Sequence, residues 1–67
     1  DVYKRQDYDD AKDEIAAEFI FLYPPGIPLV VPGEVIDKYV IDKIRQYEQY
    51  NMKVIGLDDH KIYIINR

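Results

Sequence analysis

The sequence predicts a small α+β domain built from a short strand, an extended proline-rich segment, one long helix and a C-terminal β-hairpin. Three observations predict it. All four prolines and two of the three glycines fall between Tyr23 and Glu34. There, φ values fixed at about −65° and missing backbone donors argue against helix and against a central sheet strand. Ahead of that segment, Phe19-Ile20-Phe21-Leu22-Tyr23 is a continuous apolar run rich in aromatic and β-branched residues, which reads as a short buried strand. Behind it, Ile36, Val40, Ile41, Ile44 and Tyr47 recur at helical spacing, with charged and amide residues on the opposite face.

In chain order, Asp1-Val2-Tyr3-Lys4-Arg5-Gln6 resembles the translated end of a transposase adaptor used to prepare sequencing libraries. It is set aside as foreign to the fold, and the domain is expected over residues 7–67, as a piece of a longer reading frame. Asp7-Tyr8-Asp9-Asp10 is acidic and suits either the N-terminal end of a short helix, Ala11–Ala17, or a frayed solvated end. The proline segment is stiff, with pivots at Gly26 and Gly33. It is also apolar (Ile27, Leu29, Val30, Val31), so it is expected to press against other protein. Asp37 is the expected N-cap of the helix. The pairs Asp42–Arg45 and Glu34–Lys38 are spaced to interact along it, each contributing about 0.2–0.5 kcal/mol. Asn51 suits the left-handed position that ends a helix. Lys53–Leu57 and Ile62–Ile65 read as two strands joined by a turn at Asp58-Asp59-His60-Lys61. Gly56 inside the first marks a bulge or a close backbone approach.

The totals limit the function. The chain has 67 residues, enough for one domain whose core supplies only about 3–5 kcal/mol. A net charge of −4 argues against nucleic acid and anionic membrane as partners. No apolar run approaches the roughly 20 residues of a membrane span. Cysteine is absent, which is compatible with a cytoplasmic setting, and one histidine cannot build a zinc site alone. Serine and threonine are absent too, so no hydroxyl or thiol nucleophile set can be assembled from serine, threonine or cysteine.

Tyr23-Pro24-Pro25-Gly26-Ile27-Pro28, followed by Pro32-Gly33-Glu34, resembles the signature of the C-terminal domain of the bacterial ornithine/lysine/arginine decarboxylases. These are pyridoxal-phosphate enzymes of the aspartate-aminotransferase fold type. Twelve consecutive positions carry the motif, and the resemblance extends more loosely from Asp13 to Met52. The family often has glycine near the positions of Asp13 and Asn51. The resemblance implies a longer parent enzyme of polyamine metabolism, cytoplasmic, a homo-oligomer (dimer or higher), that binds pyridoxal phosphate and removes CO2 from a basic amino acid. This chain would pack on the parent's missing large catalytic domain and help wall the approach to its cofactor, binding no cofactor and catalysing nothing alone. The residues themselves leave an alternative: a free-standing binding module presenting Pro25-Gly26-Ile27-Pro28 as a P-x-x-P ligand.

Single residues are weighed the same way. Glu34 either hydrogen-bonds free backbone N–H groups and offsets a helix dipole, or faces the active-site entrance of the parent; the first is favoured. The family's cofactor lysine follows a histidine in a Ser-x-His-Lys motif. His60-Lys61 lacks that serine and reads as exposed turn. Asp9, Asp10, Asp13 and Glu14 lack the spacing of a calcium loop. Tyr39, Tyr47 and Tyr50 suit either a docking surface or the completion of a small core. The Tyr23–Pro24 bond is expected trans.

Overall fold

The computed structural model describes residues 2–67; Asp1, the first residue of the segment set aside above, lies outside the described residues. The strands are β1 (Tyr3–Asp7), β2 (Ile20–Tyr23), β3 (Ile27–Val30), β4 (Lys53–Ile55) and β5 (Lys61–Ile65). A short 3-10 helix covers Tyr8–Asp10, and α1 covers Lys38–Gln49. The strands form two antiparallel sheets, β1–β5 and β3–β2–β4. The class is α+β, as the sequence predicts.

Helix α1 forms where its apolar period and caps place it. The Asp37 carboxylate accepts from the Val40 amide at 3.0 Å, satisfying one of the free N–H groups of the first turn. Val40, Ile41 and Ile44 are buried. They meet Ile20, Leu22, Val30, Val54, Ile62 and Ile64 from the strands, together with Ile36 and Tyr8. At the other end Asn51 has φ 57°. The Asn51 amide donates to Glu48 O at 3.1 Å and the Met52 amide to Tyr47 O at 2.9 Å, so two orphan carbonyls of the last turn are satisfied. Asp13 also has positive φ, 71°. Both residues stand near positions where the resembled family has glycine, and aspartate and asparagine are the residues that tolerate that region best after glycine. Of the expected helix pairs, Asp42–Arg45 forms at 3.1 Å; Lys38 turns instead to Asp42 at 2.7 Å and leaves Glu34.

Three expectations are corrected. Neither reading of the acidic start holds: no helix covers residues 11–17, and Asp7–Asp10 are not frayed but end β1 and form the 3-10 helix. Beyond the 3-10 helix, residues 14–17 run extended and hydrogen-bond on both sides. The Ala16 amide donates to Glu34 O at 2.9 Å and Ala16 O accepts from Gly33 N at 2.8 Å. On the other side Ile15 O accepts from Ile65 N at 2.8 Å and the Ala17 amide donates to Tyr63 O at 3.0 Å. Alanine favours helix only weakly. Here Ala11 and Ala16 are fully buried, and their small side chains let neighbouring backbones close on this segment.

The expected C-terminal hairpin is only a turn. Asp58 and Lys61 exchange both backbone hydrogen bonds, at 2.8 and 2.9 Å, across Asp59 and His60. Both central residues have positive φ, 51° and 63°, as the two-residue turns that suit strand twist require. Beyond the turn the strands part: β4 pairs with β2, whereas β5 pairs with β1. The departure occurs at Gly56, φ 98°, where a Cβ would lie 2.4 Å from Phe19 O. That is the close backbone approach its place in the strand predicts.

Third, Tyr3–Gln6 take part in the fold. They occupy β1, in register from Tyr3 opposite Ile65 to Asp7 opposite Lys61. One edge of β5 is taken by residues 15–17, and its other edge presents backbone groups that an extended segment can satisfy whatever its side chains.

Two predictions follow from this packing. Gly56→Ala puts a methyl group into the Phe19 carbonyl at a strained φ, so the variant is expected to lose on the order of 1–3 kcal/mol in chemical denaturation. The second concerns the turn. His60 Nδ1 lies 3.0 Å from Glu48 Oε1. That hydrogen bond first, and the Glu48 charge next, raise the His60 pKa above its ordinary value. A raised folded-state pKa contributes stability that is complete below the unfolded value of about 6.5 and is lost as pH rises through the folded value. Thermal melts should therefore show the native chain gaining on His60→Gln as pH falls through that window; parallel curves would contradict the pairing.

Candidate functional site

The motif Tyr23–Glu34 is the feature that sequence singles out, and the structure gives it a defined course. Tyr23 ends β2, exposed. The peptide bonds Tyr23–Pro24 and Pro24–Pro25 are both cis, so the expected trans bond at Tyr23 is corrected. The chain reverses over Pro24-Pro25-Gly26, with Gly26 N donating to Leu22 O at 2.8 Å. The Tyr47 hydroxyl, reaching over from α1, donates to Pro24 O at 3.3 Å. Sequence reasoning placed Tyr47 on the helix but held no signal for this bond, because nothing local specifies a contact between residues 23 positions apart.

Ile27-Pro28-Leu29-Val30 then forms β3. The segment expected as a polyproline-like track is thus a turn followed by an edge strand. Pro28 stands opposite Phe21, in the outermost strand of its sheet, where a proline's missing donor is tolerated. Of the segment's apolar residues, Val30 is buried and Leu29 packs on the core, whereas Ile27 and Val31 are exposed.

The motif closes on Val31-Pro32-Gly33-Glu34. Glu34 Oε1 accepts from the Val31 amide at 2.9 Å, and Glu34 N donates to Val31 O at 3.1 Å. The favoured hydrogen-bonding role is observed. The dipole role is not, because α1 begins only after Asp37, and Glu34 closes a turn. The backbone of Glu34 also receives Ala16 N, so this one residue fixes the turn and its attachment to residues 14–17.

The remaining candidates lie apart from the motif. His60 and Lys61 stand at the β5 turn, with His60 exposed and paired to Glu48. Asp9 pairs with Arg45, which also bonds Asp42, while Asp13 pairs with Lys12 and Glu14 with Arg67, so three of the four acidic candidates are held in ion pairs. The Lys38 hydrogen bond holds the Asp42 carboxyl below its ordinary range, and the Asp9 contact raises the Arg45 guanidinium. Among the described residues no cluster of three or more His, Asp or Glu could hold a metal ion, and no charged side chain is buried. Tyr8 is the one buried side chain with a polar tip among the described residues; burial first, then Asp9, push its hydroxyl pKa up. Tyr39 and Tyr50 are exposed.

These residues do not fit a pyridoxal-phosphate site. Such a site needs an enclosed lysine, donors around the phosphate and a carboxylate for the pyridine nitrogen. Lys61 lies at an open turn and no hydroxyl side chain of serine or threonine exists in the chain. No helix among the described residues is long and apolar enough to cross a membrane.

Comparison with known proteins agrees with the motif. The chain is 38% identical over 52 residues to the arginine decarboxylase of Halalkalibacterium halodurans, a match that takes in 78% of this chain and 11% of that protein. It is 38% identical over 56 residues to the arginine decarboxylase of Bacillus subtilis, covering 84% and 11%. The crystal structure of the Francisella novicida lysine decarboxylase superposes with a TM-score of 0.79 and 26% identity over 96% of this chain and 11% of that one. The E. coli constitutive lysine decarboxylase superposes at 0.74 and 21%, over 97% and 11%, a likeness of fold. The chain therefore spans about a tenth of the length of the proteins it matches. Residues 3–61 match the family described as Orn/Lys/Arg decarboxylase, C-terminal domain, and the chain belongs to that family.

Proposed function

We propose that this chain works as the C-terminal domain of a pyridoxal-phosphate-dependent basic amino-acid decarboxylase, supporting a catalytic domain carried elsewhere in the parent chain. The observation that carries this reading is the family match over residues 3–61, joined to 38% identity with two arginine decarboxylases. The parent is a cytoplasmic homo-oligomer of polyamine metabolism that holds the cofactor in its large domain. When bound there, pyridoxal phosphate supplies the electron sink for loss of CO2. Residues 7–67 are the domain proper and residues 1–6 are foreign sequence, of which Tyr3–Gln6 pair with the free edge of β5.

The chain's own contribution is geometric. The turn Pro24–Gly26, anchored by Tyr47, and the turn Val31–Glu34, closed by the Glu34 carboxylate, set the two ends of the edge strand β3. A rigid edge of that kind can wall the approach to a neighbouring site without supplying a reacting group. A free-standing P-x-x-P module has no support in this geometry: Pro28 is committed to a ladder with Phe21, and Pro24 O to Tyr47.

Two outcomes are expected. The purified chain, given pyridoxal phosphate and arginine, lysine or ornithine, releases no CO2; measured release would overturn the reading. In the full-length enzyme, Glu34→Ala lowers stability by about 1 kcal/mol through the unpaired Val31 amide and leaves KM for the amino acid unchanged. A several-fold rise in KM with stability intact would instead place Glu34 at the substrate entrance.

A further inference from the structure

The outer face of the β3–β2–β4 sheet departs from the usual pattern. An antiparallel sheet with one face on the core ordinarily turns polar residues to water on the other. Here Ile20, Leu22 and Val54 face inward and are buried. Outward stand Phe21, Tyr23, Pro28 and Ile55, with Phe21 directly opposite both Ile55 and Pro28. Phe19 joins them: its ring stacks on Phe21 with centroids 5.6 Å apart and planes 15° apart. Phe19 is 50% exposed, Tyr23 53% and Ile55 42%. In a chain that is 33% charged, the only charge among the described residues paired into this face is Lys53, opposite Tyr23 at its rim. Contiguous exposed aromatic and aliphatic surface of this kind marks an interaction site.

We propose that this face, centred on Phe19, Phe21 and Ile55, is where the domain docks on the rest of its own parent chain, against an apolar surface of the catalytic portion. The inference rests on the decarboxylase reading above. Three observations favour that occupant. The matched relatives are longer by about nine-tenths of their length, so a large covalent neighbour is the expected companion. Two motif residues, Tyr23 and Pro28, lie on the face itself, so the segment that identifies the family also shapes this surface. A second copy of the chain is disfavoured, because each carries a net charge of −4 and like charge opposes self-association.

The absence of cysteine makes the test direct. Ile55→Cys, Phe19→Cys and, as a reference off this face, Tyr50→Cys at an exposed position are made in the full-length decarboxylase. Maleimide alkylation of the peptide bearing each position is followed by mass spectrometry. The expected result is alkylation slower by about tenfold or more at positions 55 and 19 than at position 50, since thiol reactivity follows access. Rates at both face positions within about twofold of the reference overturn the proposal. So does slow alkylation that is relieved by dilution, which assigns the face to a second copy. Decarboxylase activity is assayed on the same full-length preparations. Activity with fast alkylation removes this inference and leaves the functional reading standing, whereas absence of activity in the unsubstituted full-length protein removes both.

Discussion

Ala16 holds the two halves of the domain together. Its amide and carbonyl bond to Glu34 and Gly33, while its neighbours Ile15 and Ala17 bond in the opposite direction to β5. The segment around it is thus paired on both edges, and its side chain is fully buried. One edge leads to the turn that ends the proline segment and, three residues later, to the cap of α1. The other leads to β5 and through it to β1. A larger side chain at position 16 would push these backbones apart. Without this double pairing, the sheets β1–β5 and β3–β2–β4 would be joined through side-chain packing against α1 and the Asp58–Lys61 turn. In a chain this small, with a core of thirteen buried residues, backbone pairing of that kind supplies order that burial alone does not.

The same economy explains what the domain can do. Among the described residues none of its charged side chains is buried, which leaves none in the desolvated setting that tunes a general acid or base. Its proline motif is shaped by two turns, one fixed from outside by the Tyr47 hydroxyl and the other from within by the Glu34 carboxylate. What the surface offers a neighbour is shape and apolar area, concentrated on the outer face of the three-stranded sheet.

Much of this was legible in the residues. The helix was, because a single residue, Asp37, caps a run whose apolar period is unambiguous. Asn51 was legible at its end for the same local reason. Gly56 announced a close approach because a glycine inside an apolar strand needs a cause. The motif was legible as a motif because proline restricts geometry at each of its positions. The pairing was not. The Asp58–Lys61 turn is a proper two-residue turn, yet it joins strands of different sheets, since β2 and β1 compete for β4 and β5 over long sequence separations. Residues 11–17 could be read as a short helix because acidic residues precede them, a dipole effect of at most about 1 kcal/mol that two rows of backbone hydrogen bonds override. Tyr47 was assigned to the helix correctly, but its bond to Pro24 depends on the crossing of α1 over the motif, which no local pattern encodes.

That this chain is one part of a longer decarboxylase is tested most directly by reading the genomic DNA upstream of the Asp7 codon from an unfragmented source. An open frame of several hundred codons containing a Ser-x-His-Lys segment is expected there, with Asp1–Gln6 absent from the natural sequence. A start codon just upstream, with those six residues encoded in place, would contradict it and leave a small protein that acts by itself.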